Sequence, residues 1–107
     1  MDKRIQNELD VIVYEITALL PGAQVILFGS HATGNHHDDS DLDLCVIVDE
    51  LNGRRMDMMH AIRGAIAPMT THPLDILLLR RDEFQKNSTI RPTLEYAIAR
   101  EGVVLNA

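Results

Sequence analysis

Phe28-Gly29-Ser30-His31-Ala32-Thr33-Gly34-Asn35-His36-His37-Asp38-Asp39-Ser40-Asp41-Leu42-Asp43-Leu44 is the stretch on which the fold turns, because glycines, a hydroxyl and spaced carboxylates gather there between two apolar runs. The run before it, Val25 to Phe28, and the run it leads into, Leu42 to Val48, have the length and residue types of strands. The polar stretch therefore lies where two strand ends converge. Gly29-Ser30 ends the first strand, and the small residues Ser30, Ala32 and Gly34 suit a tight turn opening a brief helical segment whose amides can face an anion. Asn35 to Ser40 has no hydrophobic period and reads as a loop. Along the second strand side chains alternate faces, so Asp41, Asp43, Cys45 and Ile47 share one side while Leu42, Leu44, Val46 and Val48 share the other. Apolar residues on both faces from Leu44 onward predict a central strand covered on both sides, with its acidic start emerging at the sheet edge.

Upstream, Ile5, Leu9, Ile12, Val13, Ile16, Leu19 and Leu20 fall at the spacing of one helical face, which predicts an amphipathic helix from Asp2 to Leu20. Pro21-Gly22 reverses the chain. Downstream, Met56, Met59, Ile62, Ala65, Ile66 and Met69 predict a second long helix, interrupted at Pro68, with its methionines as adaptable core. Thr70-Thr71-His72-Pro73 is a breaker cluster. Leu74 to Leu79 is a third strand, apolar apart from Asp75, and a charge in such a run belongs at an open strand end or facing a cation. A short helix around Phe84 follows. A last helix is expected from Ser88 or Thr89, with Pro92 in its first turn, Ile90, Leu94, Ala97 and Ile98 on one face, and Gly102 as its stop. Val103-Val104-Leu105 can add a final short strand.

The 107 residues suit one domain spanning 1–107 and a single hydrophobic core. Apolar and charged fractions of 46% and 24% are ordinary globular values and argue against disorder or coiled coil. A net charge of -6 argues against extended contact with nucleic acid, whose backbone calls for a basic face. A phosphate substrate must then bring cations. Neither a run long enough to span a membrane nor a secretory leader is visible, and the single Cys45 excludes an internal disulfide, so a cytoplasmic location is expected. Within an apolar strand, Cys45 reads as a buried, inert thiol.

Two aspartates two apart on a strand present parallel carboxylates, and a third from a neighbouring strand completes an oxygen set for Mg²⁺ or Mn²⁺. Two such ions would stabilise the attacking and leaving oxygens of an in-line displacement at phosphorus. Asp41, Asp43 and Asp75 are the candidates, both as metal ligands and as catalytic carboxylates. Gly29 lets a phosphate approach the backbone, and the Ser30 hydroxyl with nearby N–H groups can donate to it. A solvated strand start is the rival explanation for Asp41 and Asp43, and it loses ground only because Gly29-Ser30 and Asp75 flank them. His31, His36 and His37 raise the idea of zinc, but their spacing fits no familiar zinc pattern, so a solvated loop is expected, with His31 able to touch a nucleotide as the neighbour of Ser30. Asp38-Asp39 reads as a solvated acidic face.

A strand ending in Gly29-Ser30, then Ser40-Asp41-Leu42-Asp43-Leu44 opening the next strand, with Ala32-Thr33-Gly34 between and Asp75 on a later strand, resembles the minimal nucleotidyltransferases (MNT) of the DNA polymerase β superfamily. The resemblance covers essentially the whole chain. It implies an α/β (α+β) fold of polymerase β type, a small mixed sheet flanked by helices. It also implies Mg²⁺-dependent transfer of NMP, as AMP from ATP, to an acceptor hydroxyl with release of pyrophosphate. Two ions would be held by Asp41, Asp43 and Asp75, with Mn²⁺ a possible substitute, and the triphosphate by Gly29 and Ser30. Members of this size resemble the antitoxin half of HEPN/MNT toxin–antitoxin pairs, which adenylylate the HEPN ribonuclease, so a HEPN-type toxin is the implied partner. One position departs from the family wording: Thr33 stands where an arginine is common, and a charge-assisted phosphate contact is worth roughly 1.5 to 3 kcal/mol. Two other functions therefore stay open, an antitoxin that neutralises its partner by contact alone and a sensor that binds NTP without transfer.

Overall fold

The computed structural model describes residues 3–34 and 40–106. The expected loop from Asn35, with His36, His37, Asp38 and Asp39, falls almost entirely outside them. A long helix α1 (Lys3–Leu19) leads through the Pro21-Gly22 turn into β1 (Gln24–Phe28), a single-turn helix α2 (Ser30–Thr33) and β2 (Leu42–Val48). Helix α3 (Arg55–Ile66) then tightens into a 3₁₀ turn over Ala67–Met69, where Pro68 cannot donate to a continuing α-helix. Strand β3 (Leu74–Arg80), helices α4 (Arg81–Asn87) and α5 (Leu94–Glu101), and β4 (Val103–Val104) complete the chain.

The sheet is mixed, in the order β3-β2-β1-β4. β1 runs antiparallel to β2 and to β4, whereas β2 and β3 are parallel, with α3 supplying the crossover that a parallel pair needs. β2 is thus internal, as its apolar pattern predicts. Leu42, Leu44, Val46 and Val48 face a core built with Ile5, Leu9, Ile12 and Ile16 of α1 and Met58, Ile62 and Ile66 of α3. On the opposite face Cys45 and Ile47 pack with Ile26, Leu79 and Ile98 of α5, partly covered by Phe28, Leu77 and Phe84. Burial pushes the Cys45 thiol up to about 12, with Glu95 adding to the effect, so it is an inert core residue as expected.

Two helices differ from the pattern read in the sequence. In α3 the buried stripe is Met58, Ile62 and Ile66, a strict four-residue spacing, while Met56 and Met69 are exposed. Only part of the methionine group is core. The last helix begins later than expected: the Thr93 hydroxyl accepts from the Tyr96 amide as its N-cap, which puts Pro92 ahead of the helix. Of the four residues assigned to its inner face only Ile98 is buried. Gly102 does end the helix, but in an extended conformation; a side chain there would collide with the Ile98 carbonyl at 2.5 Å and Ile26 Cγ2 at 2.6 Å. The chain needs a glycine at that point to pass close to β1. Beyond β4 the Asn106 side chain carries on the pairing, accepting from the Val25 amide at 2.7 Å and donating to the Ala23 carbonyl at 2.8 Å. Among the described residues no helix is long and apolar enough to cross a membrane.

Candidate active site

β1 ends and β2 and β3 begin at the same edge of the sheet. Asp43 is opposite Phe28 on one side and beside Asp75 on the other, so the registers alone place it between the Gly29 turn and the third carboxylate. The Leu42 amide donates to the Pro73 carbonyl at 2.8 Å, which locks the two acidic strand starts together. Asp43 shares its face with Cys45 and Ile47, but it lies beyond the cover that α4 and α5 provide and is half-buried. Asp41, just ahead of β2, and Asp75, second in β3, are exposed. Asp75 thus stands at an open strand end.

Gly29 has φ 75° and ψ -155°, a region that residues with a side chain essentially never occupy. A Cβ there would come within 2.1 Å of Asp43 Oδ2. The space that this glycine leaves open is filled by the Asp43 carboxylate. Ser30 then starts α2, and the Ala32 and Thr33 amides return to the Gly29 carbonyl at 3.1 and 3.2 Å. Thr33, at the position where an arginine is common, is exposed and turns its hydroxyl back towards the Gly29 and Ser30 carbonyls at 3.4 Å. It offers no cation.

Electrostatics mark Asp43 as the crowded member of the carboxylates. Partial burial lifts its pKa first, and repulsion from Asp75 and then Asp41 adds to that, with His31 opposing. An all-oxygen, mutually repelling donor set fits a hard divalent cation, because such an ion removes the repulsion. As the side chains stand, no group of three or more His, Cys, Asp or Glu among the described residues converges closely enough to hold a metal ion. The site thus brings Gly29, Asp43 and Asp75 into direct proximity, with Asp41 near Asp43 and Ser30 at the adjoining turn.

His31 corrects one expectation. It is not in a solvated loop: it lies in α2 and is only 6% exposed, with Nε2 at 3.0 Å from the Ser40 carbonyl. His36 and His37, the other members of the zinc idea, lie outside the described residues. Nothing in the sequence points to Glu8 and His72. The His72 ring stands edge-on to His31, and its Nδ1 is 2.9 Å from Glu8 Oε2. Burial raises the pKa of Glu8, but hydrogen bonds from Thr70, the Thr71 amide and His72, together with the His72 charge, outweigh that and hold it below the ordinary value. A pair 64 positions apart leaves no local signal. Next to this cluster a groove of about 350 Å³ is lined by Arg63, Thr70, His72 and Leu74 among others.

The nucleotidyltransferase domain family matches residues 9–100, a span that includes Gly29, Ser30, Asp41, Asp43 and Asp75. A comparison with curated protein sequences finds no significant match. Among solved structures, a Sulfolobus solfataricus protein with a provisional nucleotidyltransferase assignment superposes with a TM-score of 0.62 at 20% identity, over 94% of this chain and 78% of that one. A chain from a toxin–antitoxin crystal structure with AMP-PNP gives 0.59 at 17% identity, over 95% and 73%. At such identities the likeness is one of fold, and it agrees with the mixed four-stranded sheet flanked by helices. Since the family match runs from the first helix to the last and takes in the glycine turn and both acidic strand starts, the chain belongs to the nucleotidyltransferase domain family.

Proposed function

We propose that this protein is a Mg²⁺-dependent nucleotidyltransferase that moves AMP from ATP to a hydroxyl of a partner protein, and that it acts as the antitoxin that adenylylates a HEPN-type ribonuclease toxin. The observation that carries the reading is the setting of Asp43, packed into the space left by Gly29 and paired in register with Asp75. Family membership supports nucleotidyl transfer. The fold shared with a chain from a toxin–antitoxin structure holding an adenine nucleoside triphosphate analogue supports the choice of ATP and of a protein partner.

In this reading Asp41, Asp43 and Asp75 hold the metal, and Gly29 and Ser30 the triphosphate. Bound Mg²⁺ supplies charge neutralisation at the carboxylates and at the phosphoryl group. The acceptor oxygen bonds to the α-phosphorus as the bond to the α–β bridging oxygen breaks, and pyrophosphate leaves with that electron pair. Asp75, exposed at the sheet edge, takes the hydroxyl proton.

Incubation with α-labelled ATP, Mg²⁺ and the co-expressed partner should label the partner, and the Asp41→Ala, Asp43→Ala double variant should not. Labelling that persists in the double variant would sink this mechanism. The uncharged Thr33 favours a second reading, neutralisation by contact alone. Under that reading the double variant still protects cells from the partner.

A further inference from the structure

Behind the carboxylates a part-buried polar chain links the segments that carry them. The Ser40 carbonyl can only accept, so His31 Nε2, at 3.0 Å, carries the proton. The two imidazole rings meet edge-on, with centroids 5.7 Å apart and planes at 87°. His72 Nδ1 donates to Glu8 Oε2 at 2.9 Å, and the same carboxylate accepts from the Thr71 amide at 2.7 Å and from the Thr70 hydroxyl. Helix α1, the turn into β3, α2 and the start of β2 are thereby joined through side chains. Three of its members are near proposed site residues in the sequence: His31 follows Ser30, Ser40 precedes Asp41, and His72 lies in the turn that leads to Asp75.

We infer that His31 is a positioning residue for divalent-cation binding: its Nε2–H, backed by His72 and Glu8, holds the Ser40 carbonyl and so sets where Asp41 stands beside Asp43. The inference rests on the proposed reading of the three aspartates as metal ligands. Space filling alone does not account for the arrangement. A buried apolar side chain would serve that purpose without an oriented donor, and without the His72 and Glu8 pair that fixes the neighbouring ring. Hydrogen-bonded groups that orient the ligands of a metal are typically worth 10- to 100-fold in its affinity.

The test is titration of the full chain with Mn²⁺ alone, followed by the electron paramagnetic resonance of the free ion. His31→Leu keeps an apolar bulk and removes the donor, and it should raise the Mn²⁺ dissociation constant by about 10- to 100-fold. His31→Gln restores an N–H that can reach the same carbonyl and should recover most of the affinity. Equal affinity in wild type and His31→Leu overturns this inference alone, and so does equal weakness of the leucine and glutamine variants. A wild-type protein that holds no Mn²⁺ overturns both this inference and the proposed function. Should His31→Leu fail to fold, long-range ¹H–¹⁵N correlation of the wild-type rings decides: the Nε2–H tautomer of His31 supports the inference, and the Nδ1–H tautomer overturns it.

Discussion

Replacing Gly29 by alanine should damage the protein in two separable ways. The backbone at φ 75° and ψ -155° is a conformation whose cost to a residue with a side chain is of order 1–3 kcal/mol. The new methyl also meets Asp43, at 2.1 Å from Oδ2, 3.0 Å from Cγ and 3.3 Å from Cβ. Rotation of the aspartate relieves the first two contacts but not the third, and an off-rotamer side chain adds about 1 kcal/mol. The expected loss is therefore about 2–4 kcal/mol, a drop in Tm of roughly 10 to 30 °C for a domain of this size. Gly34→Ala is the control, since Gly34 is left-handed at φ 84° and ψ 2° with nothing among the described residues within 4 Å of an added methyl, and should lose only about 1–2 kcal/mol. Urea denaturation followed by circular dichroism measures both. In an Asp43→Ala background the contacts with Oδ2 and Cγ disappear while the 3.3 Å contact with Cβ and the backbone cost stay, so the double-mutant cycle should show a coupling of about 1 kcal/mol. If Gly29→Ala proves no less stable than Gly34→Ala, and its coupling to Asp43 is zero, then Asp43 does not depend on the space above Gly29.

Three further outcomes follow from the same geometry. The folded pKa of Glu8 lies below its ordinary 4.5, so its contribution to stability is present above about pH 4.5 and fades as the pH falls through the folded pKa; Glu8→Gln should lose about 1–2 kcal/mol at pH 7 and flatten the acid limb of the stability curve, and an unchanged acid limb would contradict the network. Asp43 has the opposite sign: its folded pKa is raised above 3.8, so its ionised form costs stability as the pH rises through that range. Asp43→Asn should thus stabilise the metal-free protein at pH 7 while abolishing the rise in Tm on adding Mg²⁺, both readable by differential scanning fluorimetry. Finally, Met58→Ala should cost about 2–5 kcal/mol and Met56→Ala less than about 0.5 kcal/mol by chemical denaturation, because only Met58 lies in the core.

The helices show where pattern reading stops. α1 is long and regular, and its buried Ile5, Leu9, Ile12 and Ile16 stand out by spacing alone. In α3 seven apolar residues compete for a narrow stripe, and composition cannot say that Met58 packs inward while Met56 stays in solvent; the choice depends on the angle at which α3 crosses β2 and α1. α5 is short, and most of its apolar residues are exposed. Its pattern puts the start too early because Pro92 suits a first helical turn as well as it suits the turn before one, and the Thr93 cap decides between them.

The order of elements and the central place of β2 are legible from residue pattern alone, because alternation along a strand is a local property of the backbone. The glycine-serine turn and the spaced aspartates are enough to point to the family. Three facts come only from the way the chain packs on itself: Asp43 fills the space above Gly29, the parallel register brings Asp75 beside it, and His31 turns inward to a chain ending at Glu8. Each depends on how separate strands and helices are aligned in space. Alignment is set by the burial of both faces of β2, which no single stretch of sequence contains.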